Sequence, residues 1–245
     1  MNTIAVAIQK GGTGKTTTAA TLATTGAIKG KKVLAIDLDP QGNLTFTLNG
    51  DTNRPGAIEF LQNSATDFIQ HTKSGVDLIA ASERLSVIAS EKGTEKGSAR
   101  LLQKALEPLK KKYDICIIDT PPTAGILQYM ALQAADRLVI PLEAETYSIQ
   151  GLYQIVDTAK AIQKSNPNLS IKGYVLTKFR SSSISKAMAN TLQTIAARDN
   201  IKCLGNVRNG VAVAEAAATQ EPLLSYAPKS NPAIDYLAVY EKLFQ

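Results

Sequence analysis

The apolar run Ile4-Ala5-Val6-Ala7-Ile8 leads straight into Gln9-Lys10-Gly11-Gly12-Thr13-Gly14-Lys15-Thr16-Thr17, and a helix-like stretch follows. A strand that feeds a glycine-rich turn into a helix N-terminus leaves backbone N–H groups unpaired at the positive end of the helix dipole. Such a turn cradles a polyphosphate. Gly11, Gly12 and Gly14 let the backbone curl without a clashing Cβ, and Thr13 and Thr17 complete the loop. Lys15 sets a cation between the outer two phosphates, and the Thr16 hydroxyl is placed to coordinate Mg²⁺. The common spacing G-x-x-x-x-G-K-[ST] is broken here, because Gln9 stands at the first glycine position and Lys10 follows it. A lysine at the loop's tip faces away from the phosphates of its own loop. It is best placed to neutralise a nucleotide held by a facing copy, which implies a nucleotide sandwich dimer.

Two further apolar strands end in carboxylates: Asp37-Leu38-Asp39-Pro40 follows Val33–Ile36, and Asp119-Thr120-Pro121-Pro122 follows Ile115–Ile118. If these strands flank the first, both acids lie beside the glycine loop. Mg²⁺ takes one or two carboxylates plus phosphate oxygens and waters, a role that fits Asp119. Asp39 sits one residue into its loop, within reach of the metal, of the γ-phosphate side and of an attacking water, whereas Asp37 reads as structural. Phosphoryl transfer draws mainly on positioning and charge neutralisation, which Lys10, Lys15 and Mg²⁺ would supply.

Apolar runs at Val76–Ala80, Leu138–Leu142, Ile171–Leu176 and Ile201–Leu204 join the first three as candidate strands. Helical patterns of crossover length fall between them, at Thr16–Lys29, Ala99–Lys111, Ile126–Ala135, Ile149–Lys164 and Ile184–Arg198. The expected architecture is α/β, a doubly wound, mostly parallel sheet flanked by helices, with ligands at the carboxyl ends of the strands. The stretch Leu48–Ser74 reads as a loop-rich surface insertion with a short helix near Ala57–Gln62, and the lone histidine, His71, sits there as an inert surface residue. With 245 residues and no internal boundary, one domain over 1–245 is expected. Cys116 and Cys203 suit neither a disulfide framework nor a metal cluster, so a reducing cytosol is expected. No apolar run approaches ~18 residues, the length that a membrane span needs.

Net charge is +6, and between Gly151 and Gly210 nine cations meet only Asp157 and Asp199. A basic face of this kind is the electrostatic footprint of contact with a polyanion such as DNA.

The segments K-G-G-T-G-K-T-T at Lys10–Thr17, D-L-D-P-Q-G-N at Asp37–Asn43 and Y-D-I-C-I-I-D-T-P-P at Tyr113–Pro122 resemble the deviant Walker motifs of ParA-type partition ATPases. The resemblance runs nearly end to end, through Ala134-Ala135-Asp136, Ile140-Pro141-Leu142, Val211–Ala216 and Tyr226-Ala227-Pro228-Lys229-Ser230. It implies a P-loop ATPase using ATP and Mg²⁺, whose ATP-bound homodimer binds DNA without sequence preference. Release would follow when a ParB-like centromere-binding partner stimulates slow hydrolysis, and the protein would be cytoplasmic and nucleoid-associated. By position, Lys10 resembles the signature lysine, Lys15 and Thr16 the phosphate and Mg²⁺ residues, Asp39 the hydrolysis residue and Asp119 the Walker B acid. For DNA contacts, Lys178, Arg180, Lys186 and Arg208 stand near positions where some relatives carry arginines. The glycine loop begins at residue 10, so an N-terminal helix-turn-helix domain is not expected.

The nearest rival is a MinD-type membrane-associated ATPase, which needs a basic amphipathic terminal helix. Here Leu237, Tyr240 and Phe244 share one face with only Lys242 cationic nearby, so packing on the domain, and no membrane contact, is expected. A nitrogenase-reductase-like electron donor would need loop cysteines, and a tyrosine-kinase variant a C-terminal tyrosine cluster. Neither is present in the sequence.

Overall fold

The computed structural model describes residues 1–63, 67–91 and 97–245. Its strands are β1 (Asn2–Val6), β2 (Val33–Asp37), β3 (Ile69–His71), β4 (Asp77–Ile79), β5 (Ile115–Asp119), β6 (Arg137–Glu143), β7 (Ser170–Phe179) and β8 (Cys203–Arg208). The helices are α1 (Lys15–Ile28), α2 (Asn43–Thr47), α3 (Ala57–Asn63), α4 (Leu85–Glu91), α5 (Leu101–Leu106), α6 (Ile126–Ala134), α7 (Ser148–Gln163), α8 (Ser183–Arg198), α9 (Ala212–Ala218), α10 (Leu223–Tyr226) and α11 (Asn231–Phe244). The strands form one sheet in the order β3-β4-β2-β5-β1-β6-β7-β8. Every pairing is parallel except β3 with β4, which is antiparallel.

Alternate residues of the central strands enter two separate cores, which is why these strands read as continuous apolar runs. Ala5, Leu34, Ile36, Cys116, Ile118, Leu138 and Ile140 face one layer of helices. Ile4, Val6, Val33, Ala35, Ile115, Ile117 and Val139 face the other, which includes α1 and α11. Helix α1 is buried along most of its length although rich in threonine. Its hydroxyls satisfy themselves on carbonyls one turn back: Thr21 on Thr17, Thr24 on Ala20 and Thr25 on Thr21.

All seven expected strands are present, and the structure corrects the expectation in four places. Strand β3 is an additional three-residue edge, too short to show an alternation of its own. The stretch 99–111 is broken into α5 and flanking 3₁₀ turns, the second of which contains Pro108, whose ring removes a backbone donor. The supposed surface insertion plants Ile58, Phe60 and Leu61 of α3 in the core. Finally, α11 buries Ala233, Tyr236, Val239, Tyr240 and Leu243, while Leu237 and Phe244 are only partly buried. It packs on the domain as expected, but through a face turned from the expected one.

Candidate functional site

Strand β1 stops at Val6, and the chain reaches α1 through a loop whose turns are made at Gly12 and Gly14, with φ of 76° and 81°. Both values lie in the left-handed region that glycine enters without strain. Gly14 is the N-cap of α1 and carries no side-chain cap, so the first-turn N–H groups stay available at the positive helix end. Lys15 is 7% exposed, and its ammonium donates to the Lys10 carbonyl at 2.9 Å. Burial draws its pKa below the ordinary lysine value, while Asp119 and Asp39 pull the other way.

The register places Val6 beside Asp119 and Asp119 beside Asp37, so three strand ends line up at one edge. Strand β5 flanks β1, whereas β2 lies one strand further out, contrary to the expectation that both flank it. The two acids still differ in role. Asp119 accepts from the Thr16 hydroxyl at 2.7 Å and from the Thr120 N–H at 3.0 Å. Asp37 is fully buried and accepts from the Thr45 N–H and hydroxyl, each at 2.8 Å, and from the Asp39 N–H at 3.1 Å. That is a structural anchor for the loop bearing Asp39, which is 6% exposed. Burial holds both Asp37 and Asp119 above the usual carboxylate range, helped at Asp37 by the Asp39 charge and at Asp119 by the Asp37 charge.

A hollow of about 440 Å³ opens over this edge, lined among others by Gly12, Lys15, Thr16, Asp39, Gln41 and Pro122. Hard oxygens of a hydroxyl and carboxylates, with open volume above them, suit Mg²⁺. Among the described residues no group of three or more His, Cys, Asp or Glu side chains could cage a metal, so the remaining ligands would come from phosphate and water.

A second cavity of about 250 Å³ adjoins the loop on its other side, between the ends of β7 and β8 and helix α9. Thr17, Val207, Asn209, Val213, Ala217 and Tyr236 are among its walls. The sequence reading missed it because its lining comes from four segments far apart in the chain.

Lys10 is brought to the loop's tip, where its ammonium pairs with Glu145 at 3.1 Å. That contact holds the Glu145 carboxyl below its usual range. The four expected DNA contacts separate into two kinds. Arg180 is exposed in the β7–α8 turn, and Lys186 is exposed in the first turn of α8. Arg208 is engaged by Asp235, whose carboxylate accepts its backbone N–H at 2.9 Å and its Nε and Nη2 at 2.8 Å each. Lys178 donates to the Gly12 carbonyl at 2.7 Å and pairs with Glu143 at 2.9 Å.

The segment 151–210 therefore does not present one basic face. Lys172 and Lys202 stand at the amino ends of β7 and β8, whereas Arg180 and Arg208 stand at the carboxyl ends. Lys160 is paired with Asp199. His71 is exposed and paired with Asp77, and Cys116 is fully buried in β5.

A family model described as an AAA domain matches residues 1–171. The sporulation initiation inhibitor protein Soj of Bacillus subtilis is 36% identical, the match covering 96% of this chain and 94% of that protein. The chromosome partitioning protein ParA of Caulobacter vibrioides is 35% identical over 97% of this chain and 91% of its own length. Among solved structures, cobyrinic acid a,c-diamide synthase of Mycobacterium smegmatis, with bound ATP analogue and magnesium, superposes with a TM-score of 0.85. It is 29% identical, and the match covers 100% of this chain and 94% of that one. By its deviant glycine loop, its two strand-end carboxylates and this end-to-end similarity, the chain belongs to the ParA/Soj partition family of AAA-domain P-loop ATPases.

Proposed function

We propose that this protein hydrolyses ATP with Mg²⁺ to drive DNA partition, as a homodimer closed over two nucleotides and bound to DNA without sequence preference. The observation that carries the reading is the division of labour between two lysines of one loop. Lys15 is buried against its own loop, and Lys10 stands at the tip, half-turned to solvent. The loop's N–H groups and Lys15 hold the triphosphate, and the adjoining apolar cavity takes the base.

Thr16 and Asp119 would hold Mg²⁺, which would supply charge neutralisation on the phosphate oxygens. Asp119, buried as it is, would be kept ionised by a cation bound there. Asp39 orients a water at the γ-phosphorus. As the water oxygen bonds to phosphorus, the bond to the β,γ-bridging oxygen breaks, leaving ADP and phosphate. Lys15 and the partner's tip lysine offset the charge that spreads over the leaving oxygen and the transferred group. Arg180 and Lys186 contact DNA phosphates in the dimer, and a ParB-like protein accelerates turnover. Nucleoid association in the cytoplasm follows from the same DNA contact.

The test is molecular mass by light scattering with ATP, alongside DNA binding across a salt series. K10A is expected to bind ATP as a monomer and to lose DNA binding. R180E/K186E is expected to dimerise and to lose DNA binding, with the steep salt dependence that phosphate contacts confer on the parent. A K10A protein that still dimerises and turns over ATP would refute the sandwich. Unchanged salt dependence in R180E/K186E would refute the DNA face.

A further inference from the structure

The carboxyl end of β7 grips the glycine loop at two consecutive carbonyls. The Thr177 hydroxyl donates to the Thr13 carbonyl at 2.8 Å, and the next residue, Lys178, donates its ammonium to the Gly12 carbonyl at 2.7 Å. Glu143, at the end of the neighbouring strand β6, anchors that ammonium from the other side at 2.9 Å. A peptide's N–H and C=O point in opposite directions. Pulling these two carbonyls toward β7 therefore turns the following N–H groups, those of Thr13 and Gly14, away from β7 and toward the phosphate seat.

The backbone at Lys178 supports a functional reading. Its φ is +49°, and the register between β7 and β8 slips between Leu176 and Phe179. A long side chain in the left-handed region costs about 1–2 kcal/mol, and such strain gathers where function needs it. Among the described residues only three other non-glycines share this conformation, Asn49, Asn200 and Gln220, and none is charged. Lys178 also borders both the phosphate hollow and the adjoining cavity.

We propose that Lys178 is a positioning residue for nucleotide binding: bridging Glu143 to the Gly12 carbonyl, it holds the glycine loop in its phosphate-accepting form. This takes Lys178 out of the expected DNA surface. Without the ammonium, the Gly12–Thr13 peptide is free to rotate its carbonyl toward the anion, and the loop pays an ordering cost each time ATP binds. The inference rests on the reading of this site as an ATP site, and ATP binding by the parent protein checks that reading separately.

The test compares K178M, K178N and K178R with the full-length parent. ATP affinity is measured by equilibrium titration, kcat and KM by steady-state turnover, unfolding temperature by calorimetry, and DNA binding at saturating ATP. K178M removes the charge and keeps the stem. K178N suits the left-handed backbone and cannot reach Gly12. Both are expected to weaken ATP binding about five- to tenfold, the scale of one partly exposed charge-assisted hydrogen bond. KM should rise more than kcat falls, K178N should unfold no lower than the parent, and K178R should recover most of the affinity. DNA binding at saturating ATP should persist in all three. ATP affinity unchanged in both K178M and K178N overturns the proposal. So does loss of DNA binding at saturating ATP with ATP affinity intact, which would return Lys178 to the DNA surface. Affinity that falls only in step with unfolding temperature, without rescue by arginine, overturns it as well.

Discussion

Thr45 is fully buried, and its hydroxyl is used in both directions: it donates to Asp37 at 2.8 Å and accepts the Ala81 N–H at 2.9 Å. T45V keeps nearly the same volume and removes both bonds. It strands a buried backbone donor and strips one of the bonds that stabilise a buried carboxylate. Leaving a buried polar group unsatisfied costs about 1–3 kcal/mol, so two such losses come to about 3 kcal/mol. For a chain of this length that lowers the unfolding temperature by roughly 6–12 °C. T45S is the control, since it keeps the hydroxyl and loses one methyl group, at about 1 kcal/mol.

Function should follow the same order, because Asp37 also receives the Asp39 N–H, and Asp39 lines the phosphate hollow. A loosened Asp37 lets the Asp39 loop drift, which lowers kcat in T45V more than in T45S. Urea unfolding and steady-state turnover of the three proteins measure both effects. If T45V is as stable as T45S, the hydroxyl is not the hub described, and the assignment of Asp37 as anchor of the catalytic loop fails with it.

Two further perturbations test other parts of the structure. In G56A the new Cβ would lie 2.2 Å from the Ala80 carbonyl oxygen, the acceptor that the Ala57 N–H uses at 2.8 Å, so backbone must move. A loss of several kcal/mol is expected from the strained turn and displaced α3, read as a lower urea midpoint; a midpoint equal to the parent's would refute the close approach. In D235N the pH dependence carries the test. Burial pushes the Asp235 carboxyl up, but the bonds from Arg208 outweigh it and hold the pKa below the ordinary 3.8. A carboxylate depressed in the folded state contributes stability that is present above its unfolded value and lost as pH falls through the folded one. The stability difference between parent and D235N should be full at neutral pH and shrink below about pH 4. A difference that grows on acidification would have the wrong sign.

The central strands and the glycine loop were legible in the sequence because their chemistry is local. Parallel strands buried on both faces leave apolar runs, and a phosphate turn needs glycine at fixed spacing. What stayed hidden depends on partners far along the chain. Lys178 meets Glu143 at a separation of 35 residues, and Arg208 meets Asp235 at 27, so a charge count placed both among the expected DNA contacts. The cavity beside the loop was hidden for a related reason: its wall at Ala212–Ala218 is alanine-rich, with little contrast between faces. Its role emerges only when β7 and β8 bring it against Thr17.

The pairing of Lys10 with Glu145 bears on why assembly of the proposed dimer would wait for nucleotide. The two side chains are 27% and 55% exposed, and a pair this open to water contributes about 0–1 kcal/mol. Glu145 therefore shields the tip ammonium without locking it, and a phosphate oxygen facing it can take its place. Closing two empty loops would bring two Lys10 and two Lys15 ammoniums together, with the exposed glutamates cancelling only part of their repulsion. Two triphosphates would reverse that balance, because each carries more negative charge than the glutamate it would displace. The nucleotide would thus be the missing anion of the proposed interface. Hydrolysis would weaken the proposed seam by removing the γ-phosphate.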